Sequence, residues 1–222
     1  MAPRRASALG RTSVSGEGTD AATLRDHLVA ATDRLLDAEG LGALTTRRIA
    51  EHAGVSDGVL YNHFADKRDL VLAALLRRYT RLVEGFEARL PAAGEGNLGR
   101  NLRAYARALR DLEADALVIG AGLLTDPVLL GRFWTTIHDE PFGLDRLRQP
   151  LADYLEAERA AGRTSPDADL RAVTSLVFGA TAMNALTRRL NPGIEAAHID
   201  ESLDRAVELI ARAIAPAPPA DD

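Results

Sequence analysis

The amino-acid sequence predicts an all-α protein of about nine helices, and three observations carry that expectation. Apolar residues recur three and four positions apart along most of the chain, the period of a helix with one buried face. Alanine occurs 40 times and aromatic residues make up only 5%, a composition that favours helix. No segment of strand length alternates polar and apolar residues, and no internal repeat is present. The 222 residues suffice to bury a sizeable core in one large or two small domains.

Residues 1–18 are polar, rich in small side chains and aperiodic, and read as a disordered arm. Arg4, Arg5 and Arg11 stand there against Glu17, a small positive bias read as a solvated tail. Leu24, Leu28, Ala31 and Leu35 mark a first helix, capped by Thr19 or Asp20 and ended by Gly40. Two short helices follow, near Thr46 to Ala53 and Asp57 to His63, split at Gly54-Val55. Asp66 caps a long helix carrying Leu70, Val71, Ala74, Leu75, Leu82 and Phe86, ending near Leu90-Pro91. After a loop at 91–99, Leu98, Leu102, Tyr105, Leu109 and Leu112 share one helix face. A separate apolar segment at Ala116 to Leu124 precedes Asp126-Pro127, and Pro127 to His138 is helical. Leu144, Leu147, Leu151, Tyr154 and Leu155 mark a helix ending at Gly162; Pro166 opens another, to Leu190. Asn191-Pro192-Gly193 stops it, and the last helix runs from about Asp200 to Ile214. Residues 216–222 read as a disordered tail.

The stretch Leu44 to Leu70 carries the chemistry: LTTRRIAEHAGVSDGVLYNHFADKRDL. Thr45 or Thr46 caps its first helix, and Ser56 can cap the second by accepting from a backbone N–H. Ala50 lets the helices approach, and Gly54 takes the left-handed conformation a sharp turn needs. Leu60 and Phe64 pack onto the first helix and Ile49, which leaves Asp57, Gly58, Val59, Asn62 and His63 more exposed. A helix this short has little core to offer. Its exposed N-terminal end, poor in side chains, suits insertion into a DNA major groove.

This segment resembles the helix-turn-helix of the TetR family of bacterial transcriptional regulators. The resemblance rests on A-G-V-S followed at the right distance by L-Y-x-H-F-x-x-K, within Thr45 to Leu70. It implies an N-terminal three-helix DNA-binding domain, residues 19–68, and a helical ligand and dimerisation domain, residues 69–215. It further implies that Thr46 bonds a phosphate near its helix N-terminus, where backbone N–H groups favour anions. Arg47 would reach a base edge, its fork matching guanine O6 and N7. Ser56, Tyr61 and His63 would contact phosphates. Asp57, Val59 and Asn62 would lie nearest the bases, with Gly58 allowing close approach. Lys67, the chain's single lysine, would pair with a phosphate. Arg48 and Arg68 would give general electrostatic support. Asp57 sets a carboxylate near phosphates, where it accepts from cytosine N4 or caps its helix.

Within the C-terminal helices the same resemblance implies a small-molecule pocket. Candidate lining residues are Tyr105, Leu109, Leu123, Phe133, Trp134, Ile137, His138, Phe178, Met183 and Asn184. Breaks at Pro127, Pro141 and Pro166 keep helices from packing as continuous neighbours, so gaps between them are expected. The apolar segments lack clustered positive charge, which favours a neutral or weakly cationic effector over a large anionic one. Leu203, Val207, Ile210 and Ile214 recur at four, three and four, a helix–helix seam. Ser175, Gly179 and Ala182 form a strip where backbones can approach. The family architecture makes these last two long helices a homodimer interface.

Composition narrows the function classes. There is no cysteine, which excludes a disulfide scaffold, thiol catalysis and Cys-ligated metal. The five histidines show no metal spacing. No P-loop, no G-x-G-x-x-G and no catalytic triad arrangement is apparent, so nothing supports an enzyme or a cofactor. No apolar run reaches membrane-spanning length, and no secretory signal opens the chain. The expected location is the cytoplasm. Charge alone does not announce nucleic acid: residues 1–68 hold 9 basic and 9 acidic residues, and the net charge of −5 lies in the remainder. The expected function is a ligand-responsive, DNA-binding transcriptional regulator, a repressor released from a double-stranded DNA operator by an apolar small molecule. The alternative is a small-molecule- or lipid-binding helical protein of the same fold without DNA binding. Such a protein would be expected to lack Arg47, Tyr61 or Lys67, and all three are present.

Overall fold

The computed structural model describes residues 17–139 and 144–216, with side chains described over 22–137 and 147–216. The disordered arm and tail expected at the termini lie largely outside these residues. Nine α-helices and one 3-10 turn make up the described residues, without a strand: α1 Glu17–Glu39, the 3-10 turn Leu41–Ala43, α2 Thr46–Ala53, α3 Asp57–His63, α4 Lys67–Glu87, α5 Leu98–Leu123, α6 Pro127–Asp139, α7 Leu144–Ala160, α8 Leu170–Leu190 and α9 Ala196–Ala213. No helix among them is long and apolar enough to cross a membrane.

α1 lies across α2, α3 and α4. Leu28, Ala31, Leu35, Ile49, Ala50, Leu60, Phe64 and Leu70 bury together at its centre. Asp33, only 4% exposed, fastens α1 to α4: it accepts from Arg78 Nε at 2.9 Å and pairs with Arg81. α5 is the axis of the C-terminal part and packs on α4, α8 and α9. Its face of Leu102, Tyr105, Leu109 and Leu112 is fully buried, with the Phe86 and Tyr105 rings edge to face at 5.4 Å.

Four boundaries differ from the sequence expectation. α1 begins at Glu17, inside the stretch read as a disordered arm. α5 runs unbroken through Asp111–Asp115 to Leu123: Asp115 stays exposed while Leu112 remains in the core, so the acidic run interrupts neither face of the helix. α8 starts at Leu170, not Pro166, because Asp169 is its cap and accepts from the N–H of Arg171 and Ala172. α9 begins at Ala196, four residues before Asp200.

The seam read on the last helix is also corrected. Leu203, Val207 and Ile214 are buried within the chain and Ile210 packs against the same core, so they close the monomer. The exposed apolar seam is on α8. Leu176, Met183, Leu186 and Leu190 stay exposed, and with Gly179 they recur at three and four.

Candidate nucleic-acid interface

Local chemistry sets the geometry of α2 and α3. Thr45 caps α2 by accepting from the N–H of Arg48 at 3.2 Å. Gly54 ends it at φ 70°, and the Val55 N–H closes back on the Ala50 carbonyl at 3.0 Å. A Cβ at Gly54 would meet nothing within 4 Å, so the backbone conformation alone requires glycine there. Ile49, Ala50, Leu60 and Phe64 seal the angle between the helices. From α1, His27 Nε2 lies 2.9 Å from the Ala53 carbonyl and the Arg25 guanidinium sits 4.8 Å from the centre of the Phe64 ring.

The outer face holds the predicted DNA-contacting residues. Arg47, Ser56, Asp57, Gly58, Tyr61, Asn62 and Lys67 are exposed, and Thr46, Val59 and His63 are half-buried. Thr46, Tyr61 and Lys67 come from three helices but line one shallow depression with Phe64 beneath it. Lys67 Nζ donates to the Leu44 carbonyl at 2.9 Å, which pins its stem and leaves two N–H groups for a partner. Tyr61 is 59% exposed, a high value for an aromatic ring that packing does not require. Ser56 stands at the cap position of α3, but its side chain makes no capping bond, so the capping expected of it is corrected and the hydroxyl remains available. Gly58 lies inside a helix, where glycine costs about 1 kcal/mol against alanine. A Cβ there would meet nothing within 4 Å, so no contact within the chain explains it.

Charge on this face is balanced. Arg47 Nε pairs with Glu51 at 3.0 Å, and Glu51 first and Asp57 second hold its guanidinium more firmly protonated. Asp57 is thus countered by Arg47. Arg48 and Arg68 are ion-paired as well, Arg48 with Glu39 and Arg68 Nε with Asp126 at 2.7 Å. Sequence reasoning missed Arg25 and His27, which buttress α2 and α3 from α1 without any local motif.

The ten ligand candidates do not form one site. Tyr105, Leu109, Leu123, Phe133 and Ile137 are buried, and the Tyr105 hydroxyl donates to the Leu147 carbonyl at 3.2 Å. Burial pushes that phenol well above its ordinary range. Phe178 is half-buried under Arg148, whose guanidinium lies 5.5 Å from the ring centre. Trp134 is exposed, with its ring edge to face against Phe133 at 6.3 Å. Asn184 is buried and donates to the Ile199 carbonyl at 2.6 Å. It lines the groove between α8 and α9 with Met183, which is 62% exposed on the outer face. The side chain of His138 lies outside the described residues. No group of three or more His, Asp or Glu with the geometry of a metal site occurs among the described residues.

Comparison with known proteins bears on this interface. Residues 28–74, from α1 to the first half of α4, match the model of bacterial regulatory proteins of the tetR family. The chain is 38% identical over 65 residues to the HTH-type transcriptional regulator BetI 2 of Chromohalobacter salexigens, covering 29% of this chain and 31% of that protein. It is 35% identical over 105 residues to the HTH-type transcriptional activator FasR of Mycolicibacterium smegmatis, covering 45% and 47%. The chain thus spans about a third to a half of the length of these curated relatives. The fold extends further. A TetR-family regulator structure from Mesorhizobium loti superposes with a TM-score of 0.66 at 20% identity, covering 88% of this chain and 98% of that one. A matched helix-turn-helix and a shared fold across both halves lead to one assignment: residues 28–74 carry the DNA-binding segment of the tetR family of bacterial regulatory proteins, and the rest of the chain shares the fold of TetR-family regulators.

Proposed function

We propose that this chain is a ligand-responsive transcriptional regulator, cytoplasmic and homodimeric, acting as a repressor that a small molecule releases from its operator. Residues 19–68 act as the DNA-binding domain and residues 69–215 as the ligand and dimerisation domain. The observation that carries this reading is the outer face of α2 and α3. Thr46, Arg47, Ser56, Tyr61, His63 and Lys67 present donors for phosphates and a base edge around a helix with no side chain at Gly58. Phosphate contacts fix register, and Arg47 with Asp57, Val59 and Asn62 reads the groove.

The link between the two parts is built around α4. Arg68 of α4 pairs with Asp126, and Arg132 of α6 pairs with Asp66 at 3.3 Å. Each carboxylate is also a helix cap: Asp66 accepts from the Asp69 N–H and Asp126 from the Leu129 N–H. The Tyr79 and Phe133 rings meet edge to face at 6.1 Å further along. A ligand that repositions α6 therefore moves the start of α4, which carries Lys67. Its differential affinity for the two arrangements sets how far DNA affinity falls.

Dimerisation is supported by the exposed α8 seam, which presents the same residues on both copies across a two-fold axis. The experiment is fluorescence anisotropy of full-length protein on duplex DNA from upstream of its own gene. Binding that weakens steeply with added salt, and weakens further in Lys67→Ala, supports the reading. Binding that ignores salt, or equal binding by a Tyr61→Ala, Lys67→Ala double variant, overturns it.

A further inference from the structure

Glu51 is an acid that its own helix does not favour. It stands in the last turn of α2, two residues before Ala53, where the free carbonyls concentrate negative charge. Its side chain has one polar partner among the described residues, Arg47, whose Nε lies 3.0 Å from Oε1. The order of that pair is also unfavourable, since residues four apart stabilise a helix best when the acid precedes the base. Glu201 with Arg205 and Glu208 with Arg212, both on α9, follow the favourable order, and Arg47 with Glu51 reverses it. The two side chains are 81% and 61% exposed, so the pair covers no core. It also ties α2 to nothing else. Arg48 and Arg68 differ in this respect, because their acids, Glu39 and Asp126, lie on other parts of the fold.

What the pair does fix is the Arg47 guanidinium. Glu51 takes Nε, while the two Nη groups keep all their N–H donors without a partner among the described residues. Guanine offers O6 and N7 side by side in the major groove. An arginine can meet them with both Nη groups, or side-on with Nε and one Nη. A guanidinium held at Nε is left with the end-on approach. The same carboxylate opposes the other use of a free arginine, which is to swing onto a phosphate. That move would leave Glu51 unpaired on a face that meets a polyanion. Asp57, at the start of α3, adds a weaker attraction to the guanidinium. Repulsion of this kind lowers binding to every sequence and spares only the one whose contact Arg47 can make.

We propose that Glu51 is a positioning residue for sequence readout: it orients Arg47 end-on towards a guanine and keeps it off phosphates, lowering affinity for DNA at large while sharpening preference at one base pair. This rests on the reading that α2 and α3 bind operator DNA, and it assigns to an acid part of the discrimination that Arg47 delivers.

Fluorescence anisotropy of the full-length protein tests this on the duplex it selects from a random library, on three versions altered at one base pair, and on a scrambled duplex. The altered base pair is the one at which Arg47→Ala loses preference. Glu51→Gln keeps the length of the side chain and removes its charge. It should shrink the preference at that base pair from at least about tenfold to within about threefold. It should also raise affinity for the scrambled duplex at least about threefold, with a salt slope steeper by about one unit as Arg47 moves onto a phosphate. In the Arg47→Ala background the same change should alter scrambled-duplex affinity by no more than about twofold, because Glu51 acts through Arg47. An equal gain without Arg47 makes Glu51 a general repulsive charge and overturns the proposal. So does a thermal midpoint that falls in Glu51→Gln while the preference stays intact, which makes the pair structural. A preference that survives Glu51→Gln overturns the role of Glu51 and leaves operator binding standing. An unaltered protein that selects no sequence overturns the DNA-reading function, and this proposal with it.

Discussion

The clamp between α1 and α4 gives a prediction whose size follows from the coordinates. Asp33 is almost fully buried, accepts from Arg78 Nε at 2.9 Å and pairs with Arg81. Asp33→Ala removes both contacts. Charge-assisted hydrogen bonds are worth roughly 1.5–3 kcal/mol each, and removing one partner of a buried pair costs roughly 3–5 kcal/mol. Two features pull the loss down. Arg78 keeps Asp37 at 2.6 Å and the Asp33 backbone carbonyl at 3.0 Å, and Arg81 is half in water already. The expected loss is therefore about 2–3 kcal/mol. Urea unfolding of the full-length protein measures it, at one fixed protein concentration because the proposed dimerisation would contribute to apparent stability. Glu39→Ala is the control: it breaks the more open pair with Arg48 and should cost under about 1 kcal/mol. An Asp33→Ala loss no larger than that of Glu39→Ala would refute the clamp.

The other perturbations separate fold from function. Glu113 of α5 meets Thr181 of α8, and burial raises its carboxyl from 4.5 to about 7 on folding, so the folded state holds the proton more tightly. Its contribution is fully favourable below pH 4.5 and is lost as pH rises towards 7, by at most about 3 kcal/mol. Glu113→Gln should flatten that part of the stability–pH curve, and an unchanged curve would contradict the burial argument. Gly54→Ala should cost about 1–2 kcal/mol in thermal unfolding through its left-handed backbone, with no clash to add. Gly58→Ala should do the opposite, stabilising the free protein by up to about 1 kcal/mol while weakening DNA binding; a variant that gains stability and binds DNA as before would remove the reason for the glycine. Met183→Arg places a charge in the exposed α8 seam without disturbing the monomer core. Sedimentation should then show a folded monomer, and a persistent dimer would place the interface elsewhere.

The helix-turn-helix was legible because its signals are local. Thr45 and Asp66 cap their helices, Gly54 makes the turn, and both short helices have the bounds read from sequence. Other features depend on partners distant in the chain. The start of α8 was read at Pro166, and the hydrogen bonds that Asp169 accepts place it at Leu170 instead. Leu203, Val207 and Ile214 show helical period, but periodicity does not say whether a face meets its own chain or another. On α8 the sequence reading named Ser175, Gly179 and Ala182, all exposed, but the equally periodic Leu176, Met183, Leu186 and Leu190 were missed because Val177 and Thr181 mark a second, buried face on that helix. Glu113 gave no signal at all: it stands in a polar run, Asp111 to Asp115, and its burial comes from α8.

The central claim is that α2 and α3 of a two-fold dimer read a DNA sequence. Selection of binding sites from a random duplex library with the full-length protein tests it and assumes no operator sequence. The expected outcome is an inverted repeat with two related half-sites, mirroring the two-fold axis. Arg47→Ala, which removes an exposed guanidinium paired with Glu51, should relax one base pair in each half-site, at a cost of roughly 1–3 kcal/mol, and leave the rest of the motif in place. No enriched sequence, or a motif that Arg47→Ala and Tyr61→Ala both recover unaltered, would contradict the claim.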